Sequence, residues 1–132
     1  MKAADLSELA RVTDAIYQKE QLVVRDILAA EAQLRRKLAQ LDQSVSDARA
    51  APEQLDLMRP FGADVLWEAW AGRTRRQLNM ELAQVLAQKL HMMDRVRVAF
   101  GKRLVAQTLE TTAKEQVVKA RAQMLQDQAM RR

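Results

Sequence analysis

The sequence predicts an all-α protein: two long helices forming an antiparallel coiled-coil hairpin, the second helix longer than the first. Three observations carry this. Both prolines, Pro52 and Pro60, fall in one short stretch, Ala51–Gly62, just before the midpoint of the 132 residues. Proline lacks the N–H that a helix interior uses and pushes the preceding residue out of the helical region. On either side the chain is rich in Ala, Leu, Gln, Glu, Lys and Arg, the residues that lose least by becoming helical. Through both flanks, apolar residues recur at steps of three and four, the spacing of one helical face.

The first helix is predicted over about residues 5–50. Its apolar frame is Leu6, Leu9, Ile16, Val23, Ile27, Ala30 and Leu34, interrupted by Thr13 and Glu20. After Leu34 the frame continues as Leu38, Leu41, Val45 and Ala48. The consecutive steps of four from Ala30 through Leu34 to Leu38 predict a stutter, which locally unwinds a left-handed supercoil. Asp5 and Glu8 lie near the positive end of the helix dipole, where a carboxylate is favoured.

The turn is placed at about residues 51–62 and the second helix at about 63–130. One strict frame runs through Leu78, Leu82, Val85, Lys89, Met92, Val96, Ala99, Arg103, Ala106, Glu110, Ala113, Val117, Ala120 and Met124. Eleven of those fourteen positions are apolar, which supports one extended amphipathic helix. A second frame, Leu86, Leu90, Met93, Phe100 and Leu104, widens the apolar face beyond one seam. Gly72 and Gly101 fall inside this helix. The frame crosses Gly101 unchanged, so that glycine reads as a weak point; Gly72 reads as a site for a kink. A three-helix bundle broken at Gly101 is the structural alternative. No proline, Asn-Gly pair or polar cluster accompanies that glycine, which argues against it.

At 1.5 Å per residue the first helix is roughly 65–70 Å long and the second roughly 100 Å. With the turn centred near Asp56, partners across the hairpin have numbers adding to about 112. Leu41 then faces the region of Ala71, and Leu6 the region of Ala106. About twenty residues, from Ala113 onward, run past the start of the first helix, and a lone helix of that length is marginal in water. The expectation is an overhang that binds another protein or frays.

The length suits a single domain, residues 1–132. Hydrophobic residues make up 48% and aromatic residues only 4%, which suits a thin seam between helices better than a thick core. No apolar run approaches bilayer length, no signal-peptide pattern opens the chain and there is no cysteine. A cytoplasmic protein without disulfides is the expectation. The net charge of +5 is uneven. Residues 1–70 carry 9 basic and 12 acidic side chains, whereas residues 71–132 carry 13 basic and 5 acidic. Opposite signs favour pairing of the two helices modestly. The basic surplus could also meet an acidic partner, nucleic acid included, or be a solvated face.

Catalytic chemistry is missing from the pattern. There is no phosphate-cradling glycine loop and no Ser-His-Asp or Cys-His arrangement. His91, the only histidine, has no carboxylate four residues away and reads as a surface or seam residue, not a metal ligand. No enzyme, no metal and no cofactor is expected. Trp67 and Trp70, three apart just after the turn, read either as a cap on the seam against Leu41, Val45, Leu55 and Leu57 or as a partner-binding patch. Arg73, Arg75 and Arg76 are expected opposite Arg35, Arg36 and Lys37, a basic collar that either docks an acidic surface or is solvated. Five methionines on the second helix, including Met92 and Met93, suit gap filling or an adaptable partner surface.

A basic, cysteine-free chain of this size, with two long helices and an overhanging C-terminal helix, resembles the stalk proteins of flagellar and type III protein export (the FliJ/YscO-like family). Leu9, Ile16, Tyr17 and Leu22, with Gln18 and Gln21, are similar to that family's N-terminal helix, while the tryptophan pair departs from its usual composition. The resemblance implies a non-enzymatic stalk that links an export ATPase ring to the membrane export gate and to chaperones, meeting the membrane only through a partner. Carried onto this chain, it implies that the ring grips Leu6, Leu9, Val117, Ala120 and Met124. The gate would touch Arg36, Trp67, Trp70, Arg73 and Arg76. Two readings from other classes stand beside it. One is a basic coiled coil that binds nucleic acid with steep salt dependence; interleaved aromatics are few and no recognised binding fold is present, which argues against it. The other is a structural homodimer whose hairpins pack as a four-helix bundle. An adaptor of the same shape from a phage or another secretion system fits equally.

Overall fold

The computed structural model describes residues 2–51, 53, 56–57 and 59–131. Among these are two long helices, α1 (Ala3–Ala50) and α2 (Ala63–Met130), a 3-10 turn at Arg59–Phe61 and no strand. The predicted all-α class and the longer second helix are both found, with 48 residues in α1 and 68 in α2. The chain divides into two units. One joins Met1–Val23 to Met92–Arg132, and the other is Val24–His91. Within each, a stretch of α1 lies antiparallel to a stretch of α2: Asp42 meets Arg75 and Glu31 meets Lys89 in the second unit, Glu20 meets Arg95 and Asp14 meets Arg103 in the first. Among the described residues no helix is long and apolar enough to cross a membrane.

Among the described residues of the turn, one glycine has a left-handed backbone. Gly62 has φ 68°, in the left-handed region that residues with a Cβ rarely adopt. Its N–H donates to the Arg59 carbonyl at 3.0 Å, and its own carbonyl accepts from the Leu66 N–H at 3.2 Å. Gly62 therefore ends the 3-10 turn and opens α2, and Asp64 follows in the first turn, where the dipole favours a carboxylate. The break expected at Pro52 and the contact expected from Leu55 lie outside the described residues. Glu53, Asp56 and Leu57 are helical. The reversal thus comes later than the expected centre at Asp56, and the register shifts with it. Partners adding to about 112 would set Asp42 against Trp70; it meets Arg75 instead. The basic collar is not formed. Arg75 is neutralised by Asp42 and Arg35 by Glu31, so the two arginine groups do not oppose each other at one level.

Along α1 a continuous series of positions turned away from solvent runs Leu6, Ala10, Thr13, Tyr17, Glu20, Val24, Ile27, Glu31, Leu34, Leu38, Leu41, Val45 and Ala48, with Ala3, Ser7, Leu9, Asp14 and Ala30 half-buried beside it. Steps of four and three alternate through that series; Ala30, Leu34 and Leu38, expected to form a stutter, are all turned inward, but Glu31 is more buried than Ala30 and keeps the alternation. Ile16 and Val23, expected in the seam, are 48% and 37% exposed, and the seam takes Tyr17 and Val24, one residue on. The apolar frame and the buried frame part where Tyr17 and Glu31 find partners, Arg103 and Phe100 for the tyrosine ring and Lys89 and Arg35 for the carboxylate. On α2 the expected frame is found from Leu78 to Ala113, Lys89, Arg103 and Glu110 included. It ends there: residues 114–131 are exposed throughout.

The buried frame makes a quantitative expectation. Leu34→Ala should cost about 2 kcal/mol or more, because a buried leucine loses its packing and leaves a gap. Ile16→Ala should cost less than about 1 kcal/mol, since half of that side chain is already in water. Urea unfolding of the two variants checks this, and equal costs would restore Ile16 to the seam.

Candidate partner-binding surfaces

Charge is built into the seam at three levels. In the second unit Glu31, 8% exposed, accepts from Lys89 Nζ at 3.1 Å and from the Arg35 guanidinium at 3.2 Å. The Lys89 and Arg35 hydrogen bonds, in that order, hold its carboxyl below the ordinary value of 4.5, against the opposing effect of burial. In the first unit Glu20, also 8% exposed, accepts from Arg95 at 2.7 Å. Arg103 Nε lies 2.9 Å from Asp14 Oδ1 without hydrogen-bond alignment, and its guanidinium stacks 4.8 Å from the centre of the Tyr17 ring. Tyr17 in turn tilts against Phe100, with ring centres 5.6 Å apart. These layers are legible only in part from the residues. The sequence frame of α2 contains Lys89 and Arg103, but their acids, Glu31 and Asp14, and the Glu20–Arg95 pair do not follow from spacing on either helix alone.

In the second unit, Trp67 and Trp70 have different surroundings. Trp67 is half-buried and lines a cleft of about 240 Å³ with Val45, Ala48, Arg49, Ala71 and Arg75. Trp70 is 50% exposed. Leu57, expected beneath them, is 74% exposed. Trp67 packs at the seam and Trp70 faces solvent. Arg36, Arg73 and Arg76 belong to the same unit and all three are exposed. Trp67→Ala should lower stability by about 2 kcal/mol or more, and Trp70→Ala by less than about 1 kcal/mol. Thermal unfolding separates them; equal losses would make both tryptophans part of the seam.

In the first unit the expected contact residues divide similarly. Leu6 is buried in the seam and Leu9 half-buried. Val117, Ala120 and Met124 lie in the exposed stretch of α2, joined there by Val118 and Leu125. The side chains at Val117, Val118, Met124 and Leu125 are each between 46% and 67% exposed. This stretch buries nothing against α1.

Among the described residues no group of His, Cys, Asp and Glu is placed to hold a metal ion, and His91 is exposed. Comparison of the chain with protein-family models, with curated proteins and with solved structures finds no match.

Proposed function

We propose that this chain is a non-enzymatic coiled-coil stalk or adaptor of a flagellar or type III protein export apparatus, acting in the cytoplasm between an export ATPase ring, the export gate and chaperones. The observation that carries the reading is the free end of α2. Residues 114–131 continue the helix while keeping Val117, Val118, Met124 and Leu125 in water. A helix this short is marginal alone, and exposed valine, methionine and leucine at helical spacing are what a helix-binding partner covers. The ring would grip this stretch beside Leu9. The exposed Trp70, with Arg73 and Arg76 on the following turns of α2, supports a second contact, to the gate, and Arg36 on α1 is a further exposed cation of the same unit.

The test is capture of a purified export ATPase by the full chain, with loss of capture when residues 113–132 are removed. Undiminished capture by the shortened chain would remove the assignment of the ring to this end.

A further inference from the structure

One pattern occurs twice along α2. Lys89 has Val85 and Leu86 four and three residues before it, and Met92 and Met93 three and four after it. Arg121 is set in the same way among Val117, Val118, Met124 and Leu125. Positions three and four apart share a helical face, so each base stands at the centre of an apolar patch of its own helix. What faces the two bases differs. At Lys89 the Glu31 carboxylate of α1 meets the ammonium at 3.1 Å. Arg121 and its four apolar neighbours are all exposed, and among the described residues its guanidinium meets no carboxylate.

The acids of the free end do not serve Arg121. Glu115 and Asp127 each lie six residues from it, about 120° to either side around the helix. Asp127 accepts instead from Gln123. Of the other bases near the patch, Lys114 is taken by Glu110 and Arg131 lies beyond Leu125 at the end of the helix. Arg121 is thus the charge at the centre of the patch. The rest of the chain shows how such a base is met. Arg75, Lys89, Arg95 and Arg103 of α2 all reach α1, and the group they find there is each time a carboxylate, of Asp42, Glu31, Glu20 and Asp14. A guanidinium covered without an acid loses its water and gains nothing in return, a larger penalty than the gain from one apolar neighbour.

We infer that the partner of the free end presents a helix whose apolar stripe is interrupted by one carboxylate, seated on Arg121 as Glu31 is on Lys89. The inference rests on the ring contact proposed above and names the chemistry the ring must offer. A second copy of the chain is the poorer occupant, because its acid-bearing helix, α1, is already paired with its own α2.

The experiment titrates the full chain into two fluorescein-labelled synthetic helices, read by anisotropy. Both have leucine at the heptad core positions, except that one carries glutamate and the other lysine at the central core position. The glutamate helix should bind about tenfold or more tighter than the lysine helix, and Arg121→Glu should reverse that order. Lys119→Glu, about 160° away around the helix, should change either affinity less than about twofold. Removing residues 113–132 should abolish binding. In capture of the purified export ATPase, Arg121→Glu should weaken binding by about tenfold or more. Equal affinity for the two helices, an order unmoved by Arg121→Glu, or binding that survives removal of residues 113–132 would each overturn the inference. ATPase capture that is lost with residues 113–132 but undiminished by Arg121→Glu would overturn it and leave the ring contact standing. No capture by the full chain would remove the ring contact, and the order of the two helices would still decide what Arg121 selects. A dimer in sedimentation that Arg121→Glu dissociates would overturn the inference too, since the patch would then belong to a second copy.

Discussion

Removing residues 114–132 is expected to leave thermal unfolding within about 2 °C of the full chain while weakening capture of the export ATPase by about a hundredfold or more. The two halves of this result come from one fact: from Lys114 to Arg131 every residue is exposed. Stability resides in the seam, whose last half-buried positions on α2 are Glu110 and Ala113. The removed stretch contributes its own helical hydrogen bonds and the Glu110–Lys114 pair, which is solvent-exposed on the lysine side and worth little. Binding is another matter. Val117, Val118, Met124 and Leu125 each have about half or more of their surface still to bury, and each such side chain is worth about 1.5–3 kcal/mol when fully buried. Part of that gain is lost to ordering and desolvation at the interface. In the free chain, limited proteolysis should cut within 114–131 first, and the ATPase should protect the same bonds. A free stretch that resists protease in a monomeric chain, or a marked fall in the unfolding temperature on truncation, would mean that the end of α2 is already packed.

How much of this can be read from residues depends on what each position asks of its neighbours. The extent of the helices and the exposed end of α2 follow from spacing, proline and composition, because a frame such as Leu78–Ala113 has one face and one period. The register does not follow. It depends on where the chain reverses, and among the described residues of the turn Gly62 carries the left-handed backbone. An error of a few residues at the turn carries along both helices, which is how spacing alone predicts a collar of opposed arginines where Asp42–Arg75 and Glu31–Arg35 pairs exist. The face of α1 departs from its apolar frame at particular positions for a different reason. Ile16 is more apolar than Tyr17, yet Tyr17 is turned inward, where Arg103 and Phe100 on α2 meet it, and Glu20 in the same frame is met by Arg95. A frame chosen by hydrophobicity on one helix cannot see the charge waiting on the other. Gly101 reads as a weak point in α2, and α2 does run through it unbroken.

Glu31→Lys is expected to lower the unfolding temperature by on the order of 10 °C, and the exchange Glu31→Lys with Lys89→Glu to recover most of that loss. In the parent chain the Glu31 carboxylate lies between the Lys89 ammonium and the Arg35 guanidinium, itself nearly out of solvent. Replacing it by lysine brings three cations together in the seam, and Glu31 is the one acid that Lys89 and Arg35 meet among the described residues. The double exchange restores one acid against one base across the helices, but leaves the introduced lysine beside Arg35, so recovery should be incomplete. Acidity offers an independent measure. Lys89 and Arg35 hold the Glu31 carboxyl below its ordinary value of 4.5. A group depressed on folding lends stability that is fully present above the unfolded value and is lost as pH falls through the folded one. The parent should therefore lose stability more steeply below pH 4.5 than Glu31→Gln, which has no proton to take up. Parallel acid profiles for the two chains, or an unfolding temperature unmoved by Glu31→Lys, would show that the pair contributes nothing to the seam. A contribution limited to register is separable as well. Leucine at both 31 and 89 should stabilise the helix pair, because apolar packing replaces desolvated charge, while loosening the match of Asp42 to Arg75 that the polar layer enforces. Disulfide trapping between cysteines placed at 42 and 75 should then fall in yield relative to the parent, even as the unfolding temperature rises.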